Sequence, residues 1–141
     1  MDRICYQKKK KYTKYKLEET ISISIGLIPP GDVSRYKISL SKDGNLTIRE
    51  RYTWDGPSGP TLDTKNFMRA SLVHDALYQL MRLGDLDSDK FRKSADQVMR
   101  ILCRQDGMNV FRAWYVYWAV RLFAKGAAKQ HVEPIFVQYA P

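Results

Sequence analysis

The sequence predicts an α+β protein in which a small N-terminal antiparallel sheet, built around a hairpin, precedes a core of three helices. Polar and apolar residues alternate in short stretches of the first third of the chain, which is the period of a half-buried strand. Later in the chain, long apolar segments separated by single glycines are typical of helices. With 141 residues, 44% of them hydrophobic, the chain suits one domain with a buried core.

Three strands are predicted in order. Residues 20–25 alternate between polar and apolar side chains, and residues 36–40 alternate again. Asp43 and Gly44 form a pair that suits the tight turn of a hairpin, whose return strand covers residues 46–52.

Three helices are predicted after a loop. Residues 54–60 contain two glycines and two prolines, which exclude both a helix and a regular strand there. Each helix that follows has a polar residue able to cap its start and a glycine just beyond its end. The helices are predicted from Asp63 or Thr64 to about Leu83, from Asp87 or Ser88 to about Gln105, and from Asn109 to about Lys125.

The third of these helices is apolar and aromatic around nearly its whole circumference. Such helices are buried in a core, or they face lipid or a protein partner. Core packing is the first interpretation, and an interface with a membrane or a protein is the alternative. The helix is too short to span a bilayer, and it contains Arg112 and Arg121.

Positive charge is concentrated at the N-terminus. The formal net charge is +9, and the first 16 residues supply +6 of it, with seven Lys or Arg and one acidic residue. Such a segment suits anionic lipid headgroups, nucleic acid bound without sequence preference, or an acidic protein surface. The predicted organisation is a basic arm over residues 1–18, one domain over 19–126, and a C-terminal arm or edge strand over 127–141. The lysines predicted to contact nucleic acid are Lys8, Lys9, Lys10 and Lys11.

Several classes of protein are excluded by composition. Two cysteines are too few for a disulfide framework or a Cys-rich zinc site. The basic start is not followed by an apolar run, so no secretory signal is predicted. No uninterrupted apolar stretch reaches 18 residues, so no membrane span is predicted either.

The first predicted helix contains the pattern His74-Asp75-Ala76-Leu77-Tyr78. His74 and Tyr78 lie one turn apart on the same face of a helix. A histidine in so apolar a segment needs a polar partner. Asp96 in the second helix faces His74 if the two helices pack antiparallel. A carboxylate on one imidazole nitrogen leaves the other nitrogen to take a proton from water, so this group predicts a general base.

The same residues have a second interpretation as a structural network that only caps and cross-links helices.

A metal site beside the predicted base is also part of the enzyme hypothesis. The glycine-rich loop offers backbone carbonyls, and Asp75 adds a carboxylate, which together are the ligands that calcium prefers. Calcium beside a His–Asp base would polarise an ester carbonyl.

The His-Asp-x-x-Tyr pattern follows an aromatic–Gly–Pro–Gly loop and precedes an Ala-Asp pair on the next helix, and so resembles the phospholipase A2 motif. It is most similar to the compact, disulfide-free form carried in parvovirus capsid proteins. The resemblance implies that His74 is the general base, Asp75 a calcium ligand, and Asp96 the residue that orients His74 with help from Tyr78. The positions that it matches to the calcium loop are Trp54, Gly56 and Gly59.

Residues 46–123 also resemble an uncharacterised family of small phage and prophage proteins. The shared features are an Asp-Gly-x-Ser-x-Pro loop, the His-Asp-x-x-Tyr helix, the Ala-Asp helix and a Tyr-Trp-Ala-Val-Arg segment. This resemblance implies a viral origin and a location in the virion or the host cytoplasm. The two resemblances imply a phage-encoded, calcium-dependent phospholipase A2-like hydrolase acting on membrane phospholipid esters. The alternative is a non-enzymatic component of a virion or tail that binds neighbouring subunits through its basic and C-terminal arms.

Overall fold

The structure is a computed structural model that describes residues 3–9, 14–54 and 64–129. It confirms the predicted α+β class, because short antiparallel strands in two sheets precede three helices. Trp54, the first residue of the predicted Gly/Pro loop, ends a strand instead, because it pairs with Tyr15. The rest of that loop and most of the predicted C-terminal arm lie outside the described residues. The strands are β1 (Tyr6–Lys9), β2 (Lys14–Leu17), β3 (Ile21–Ser24), β4 (Val33–Ser34), β5 (Ile38–Leu40), β6 (Asn45–Ile48) and β7 (Thr53–Trp54).

Strands β3, β6, β5 and β4 form a four-stranded antiparallel sheet in that order. The predicted hairpin is present: β5 and β6 are adjacent, and Gly44 lies in the turn between them with a φ of 82°. The alternation places Ile21 of β3 opposite Ile48 of β6, with both side chains buried. The sequence therefore places these apolar side chains on the core face through strand periodicity alone.

The predicted return strand over residues 46–52 is shorter than expected. It ends at Ile48, and the chain turns where Arg51 adopts a φ of 73°. A backbone hydrogen bond of 3.2 Å from Tyr52 N–H to the Arg49 carbonyl closes this turn. Residues 53 and 54 then enter the second sheet as β7, because the left-handed turn redirects the chain.

The second sheet contains strands that the sequence does not predict. Its order is β1-β2-β7, so part of the basic segment over residues 1–18 is a hairpin joined to the rest of the protein through β7. Tyr15 and Leu17 of β2 are buried. The rings of Tyr6, Tyr15 and Trp54 lie 5.4 to 6.0 Å apart. These aromatic contacts stabilise the packing of the hairpin against β7. The many lysines around the tyrosines obscure the alternation of polar and apolar residues that would otherwise predict strands.

The three helices begin and end close to the predicted residues. Asp87 caps the start of the second helix by accepting a hydrogen bond of 2.9 Å from Asp89 N–H. Asn109 caps the third helix by accepting one of 2.8 Å from Arg112 N–H. The third helix ends two residues earlier than expected, and a 3-10 helix covers Lys125–Ala128. The helices are α1 (Lys65–Arg82), α2 (Ser88–Gln105) and α3 (Val110–Phe123).

Helix α1 lies at the centre of the fold. It packs against α2, and α2 packs in turn against α3. The sheets meet α1 through two hydrogen bonds of 3.0 Å, from Trp54 Nε1 to Ser71 Oγ and from Tyr52 Oη to Gln79 Oε1. Buried residues of both sheets and all three helices form one hydrophobic cluster. In the described part of the chain, no helix is long and apolar enough to cross a membrane.

Candidate functional site

The structure brings together the three residues predicted to form a base. Asp96 of α2 is completely buried. Its Oδ1 accepts hydrogen bonds from His74 Nε2 at 2.7 Å and from Tyr78 Oη at 2.6 Å. Its Oδ2 accepts a third from Arg121 Nη1 of α3 at 2.8 Å. One carboxylate therefore binds side chains from both of the other helices.

Helix geometry places the two α1 residues on this carboxylate. His74 and Tyr78 are four residues apart, so their side chains lie on the same face of α1. Their ring centroids are 4.1 Å apart. Asp96 faces them because α1 and α2 pack along their length after the turn at Gly84, which has a φ of 83°. The predicted antiparallel arrangement of the two helices therefore supplies the contact.

The electrostatics of the group favour an ionised Asp96. Burial alone would raise the pKa of its carboxyl, but hydrogen bonds from His74, Tyr78 and Arg121 outweigh burial and hold this pKa below its ordinary value. Burial, followed by the hydrogen bond to Asp96, raises the pKa of Tyr78, which stays a protonated donor. An ionised carboxylate only accepts hydrogen bonds, so His74 Nε2 carries the proton that it donates. In neutral His74, Nδ1 is then the nitrogen that can accept a proton.

His74 Nδ1 has no hydrogen bond to any residue in the described ranges, and Asp75 Oδ1 lies 4.0 Å from it. The His74 side chain is 9% exposed and borders a cavity of about 110 Å³. Because a water molecule occupies about 30 Å³ of liquid volume, the cavity has room for a few waters beside the imidazole. The rest of the wall is mixed: its polar members are Ser71, Asp75, Tyr78 and Arg82, and its apolar members are Phe67, Met99, Val120, Ala124 and Ala127.

The predicted calcium ligands are only partly within the described residues. Asp75 offers a carboxylate with 35% of its side chain exposed, next to His74. The indole of Trp54 is buried and donates to Ser71, so only its backbone carbonyl is chemically suited to calcium. Gly56 and Gly59 lie outside the described residues. Within the described ranges, no three His, Cys, Asp or Glu side chains gather into a metal site. Calcium takes six to eight oxygens, so Asp75 fits as one ligand that needs backbone carbonyls and water to complete the shell.

Arg121 is the residue of this site that the sequence reasoning missed. The sequence presents it as a charge inside α3 and as the last residue of the Tyr-Trp-Ala-Val-Arg segment, without relating it to Asp96. The available signal was an arginine inside an otherwise apolar helix, since such a charge needs a partner. Arg92 of α2 supports the same region by donating to the carbonyls of Val120 at 3.1 Å and Arg121 at 2.6 Å. These bonds satisfy carbonyls at the C-terminal end of α3.

Of the lysines predicted to contact nucleic acid, the structure describes only the backbone of Lys8 and Lys9. Lys8 and Lys9 belong to β1, in the sheet that contains Trp54. Lys10 and Lys11 lie outside the described residues. Partner binding by this segment therefore stays a prediction.

Comparison with known proteins identifies one family. The sequence model of a family described as "Protein of unknown function (DUF1353)" matches residues 41–120. The matched region begins just before β6 and includes His74, Tyr78 and Asp96, and it ends one residue before Arg121. Neither the curated proteins nor the solved structures contain a match to the chain.

Proposed function

Because the chain belongs to the DUF1353 family, whose description names no reaction, we propose from the site itself that the protein is a phospholipase A2-like hydrolase of membrane phospholipid esters. The observation that supports this proposal is the buried His74, whose Nε2 binds Asp96 while its Nδ1 makes no hydrogen bond within the described residues and borders a cavity. Phage origin, with the virion or the host cytoplasm as its location, is part of the same proposal and rests on the sequence resemblance.

The geometry suits water activation by His74. Nδ1 takes a proton from a cavity water as the water oxygen attacks the ester carbonyl carbon. The resulting imidazolium is stabilised by the ionised Asp96 on Nε2. His74 then returns the proton to the departing alkoxide oxygen, the ester C–O bond breaks, and a fatty acid and an alcohol are released. Tyr78 and Arg121 keep Asp96 ionised and fixed, so the imidazole holds one orientation and one tautomer.

Asp75 would hold calcium in the active protein, together with backbone carbonyls of the preceding loop. Calcium supplies positive charge for the developing oxyanion when it is bound. The exposed carboxylate beside His74 supports this part of the proposal.

The proposal is tested by measuring fatty-acid release from mixed phospholipid vesicles and from a soluble short-chain ester, with calcium and with a chelator. His74→Gln is expected to lower the rate about 10²- to 10⁴-fold, the range for loss of a general base. Asp75→Asn is expected to raise the calcium concentration needed for half-maximal rate. A wild-type protein that hydrolyses neither substrate under any calcium condition would contradict the proposal.

Asp96→Asn has a matched control in Asp106→Asn. Both residues belong to the α2 region and both bind an arginine, since Asp106 Oδ1 lies 2.8 Å from Arg69 Nη2. Asp96→Asn is expected to abolish hydrolysis, whereas Asp106→Asn should leave the rate of the folded fraction unchanged. Equal losses in the two variants would show that the losses come from weakened folding and not from the base.

A second candidate function is that of a non-enzymatic component of a phage virion or tail. Its supporting observation is that Asp96 joins α1, α2 and α3 through three hydrogen bonds, which would stabilise a core without any reaction. Binding to neighbouring subunits would then use the N-terminal hairpin and the C-terminal segment. Absent hydrolysis together with co-purification in virions would favour this candidate.

A further inference from the structure

Helix α3 is apolar on two opposite faces. Its inward face packs in the core through Ala113, Val116 and Tyr117. The other face points away from α2 and contains large apolar side chains at positions i, i+3, i+4, i+7 and i+11, which form one continuous stripe on a helix. We call this face the outward stripe. The outward stripe consists of Phe111, Trp114, Tyr115, Trp118 and Leu122.

The outward stripe is exposed along its whole length. Phe111 is 81% exposed and Leu122 is 70% exposed, at the two ends of the stripe. The tryptophans between them are about half exposed. Phe123, beside the end of the stripe, is 85% exposed. A contiguous apolar surface of this kind marks a site of interaction with a partner or a membrane.

The charged residues around the outward stripe are all basic. Residues 107–129 contain four Lys or Arg and no acidic residue. Arg112 and Arg121 lie roughly 90° to either side of the stripe around the helix axis. Lys125 and Lys129 are exposed just beyond its C-terminal end. Because Arg121 already binds Asp96, Arg112 and the two lysines supply most of the positive charge that a surface covering the stripe would meet.

We propose that the outward stripe binds the surface of an anionic phospholipid bilayer, with α3 lying along the boundary between headgroups and acyl chains. Tryptophan and tyrosine are favoured at this boundary, and lysine and arginine beside them interact with anionic headgroups. A second copy of the chain is disfavoured, because pairing two stripes would bring like charges together. The choice of lipid over an acidic protein rests on the proposed phospholipid substrate.

The outward stripe and the candidate site use opposite sides of α3. Val120 and Ala124 line the cavity beside His74 and flank Leu122 in the chain. Val120 lies about 160° from Leu122 around the helix axis, so this cavity borders the side of α3 opposite the outward stripe. Arg121 links the same segment to Asp96.

Intrinsic fluorescence offers a direct readout of this proposal. The chain has three tryptophans. Trp54 is buried, whereas Trp114 and Trp118 lie in the outward stripe. Vesicles containing phosphatidylglycerol are expected to shift the emission to shorter wavelength and to sediment with the protein, whereas pure phosphatidylcholine vesicles should bind it more weakly. Binding to the anionic vesicles should weaken as salt screens the charges. No sedimentation and no spectral shift with anionic vesicles would overturn the proposal.

Matched variants locate the binding surface. Phe111→Ser and Leu122→Ser are each expected to weaken binding to anionic vesicles at least about tenfold, since each removes a large side chain from the apolar phase. The controls are Tyr36→Ser and Ile101→Ser, whose native side chains are 83% and 55% exposed elsewhere on the protein. The controls are expected to bind vesicles as the wild type does. Equal losses in control and stripe variants would overturn the assignment of the surface to α3.

Two further measurements separate this proposal from its rivals. Sedimentation equilibrium should find a monomer without lipid; a dimer that Phe111→Ser dissociates would assign the stripe to a second copy and overturn the proposal. Hydrolysis of the soluble ester should be unchanged in the stripe variants. Vesicle binding without any hydrolysis would contradict the proposed hydrolase function and support lipid binding by the stripe. Hydrolysis without vesicle binding would support the hydrolase function and contradict lipid binding by the stripe.

Discussion

Helices α1 and α3 are both apolar around most of their circumference, but the described residues cover only α1. In α1, 13 of 18 residues are buried, including two that carry the candidate site, His74 and Tyr78. In α3, only three of 14 residues are buried. Helix α1 lies between the sheets and α2, while α3 packs on the outside of α2. A helix that is apolar all round must bury its surface against something. Its sequence does not show whether the rest of its own chain or a partner buries that surface.

The largest expected effect compares one leucine from each helix. Leu77→Ala in α1 removes a completely buried side chain and is expected to lower the free energy of unfolding by about 2–5 kcal/mol. Leu122→Ala in α3 removes an exposed side chain and should change it by less than about 0.5 kcal/mol. Urea denaturation of the lipid-free variants measures both. A comparable loss from Leu122→Ala would show that the outward stripe is covered in solution.

The next effect concerns the carboxylate that joins both helices. Asp96→Asn keeps the shape of the side chain but removes the charge that binds Arg121 of α3 and His74 of α1. It is expected to lower the free energy of unfolding by about 2 kcal/mol. Because the pKa of Asp96 is held below its ordinary 3.8, its contribution is present above about pH 4 and is lost as the pH falls through the folded pKa. The difference in unfolding free energy between wild type and Asp96→Asn should therefore shrink on acidification from pH 6 to 3, as denaturant titrations will measure. A difference that stays constant over this range would exclude an ionised Asp96.

The smallest effect compares two tyrosines. Tyr78→Phe in α1 removes a hydroxyl that donates to Asp96, and it is expected to lower the free energy of unfolding by about 1 kcal/mol at neutral pH. Since burial raises the pKa of Tyr78, the stability it contributes is present below its ordinary pKa of 10.0 and declines as the pH rises beyond it. Tyr115→Phe in α3 is the control, because Tyr115 is half exposed on the outward stripe. Thermal unfolding at neutral and alkaline pH distinguishes them, and equal shifts would contradict a specific role for the Tyr78 hydroxyl.

The fold was predictable where local signals are strong. Capping by Asp87 and Asn109 and the glycines at positions 84 and 107 define helix ends within one or two residues. The hairpin at Gly44 follows from an Asp-Gly pair between alternating stretches. The hairpin of β1 and β2 was not predictable, because its stability comes from Trp54, which is distant in sequence from Tyr6 and Tyr15.

The candidate site was predictable where helix periodicity or the packing of neighbouring helices relates its residues. His74 and Tyr78 are related by helix periodicity, and Asp96 was reached by assuming antiparallel packing of neighbouring helices, which the structure confirms. Arg121 was missed because its contact with Asp96 depends on how α3 crosses α2, and the spacing of residues along the chain does not predict that crossing. The calcium ligands at Gly56 and Gly59 stay predictions.

The sequence by itself determined the α+β class, the three helices, the caps at Asp87 and Asn109, and the placing of His74 and Tyr78 on one helix face, because these depend on periodicity and on residues close in the chain. Only the tertiary structure decided that α1 would be central and α3 peripheral. It also decided that Arg121 would complete the Asp96 group and that the outward stripe would be exposed. The physical reason is that burial depends on the area other elements cover, and a helix that is apolar all round contains no local signal for which of its faces the core will take.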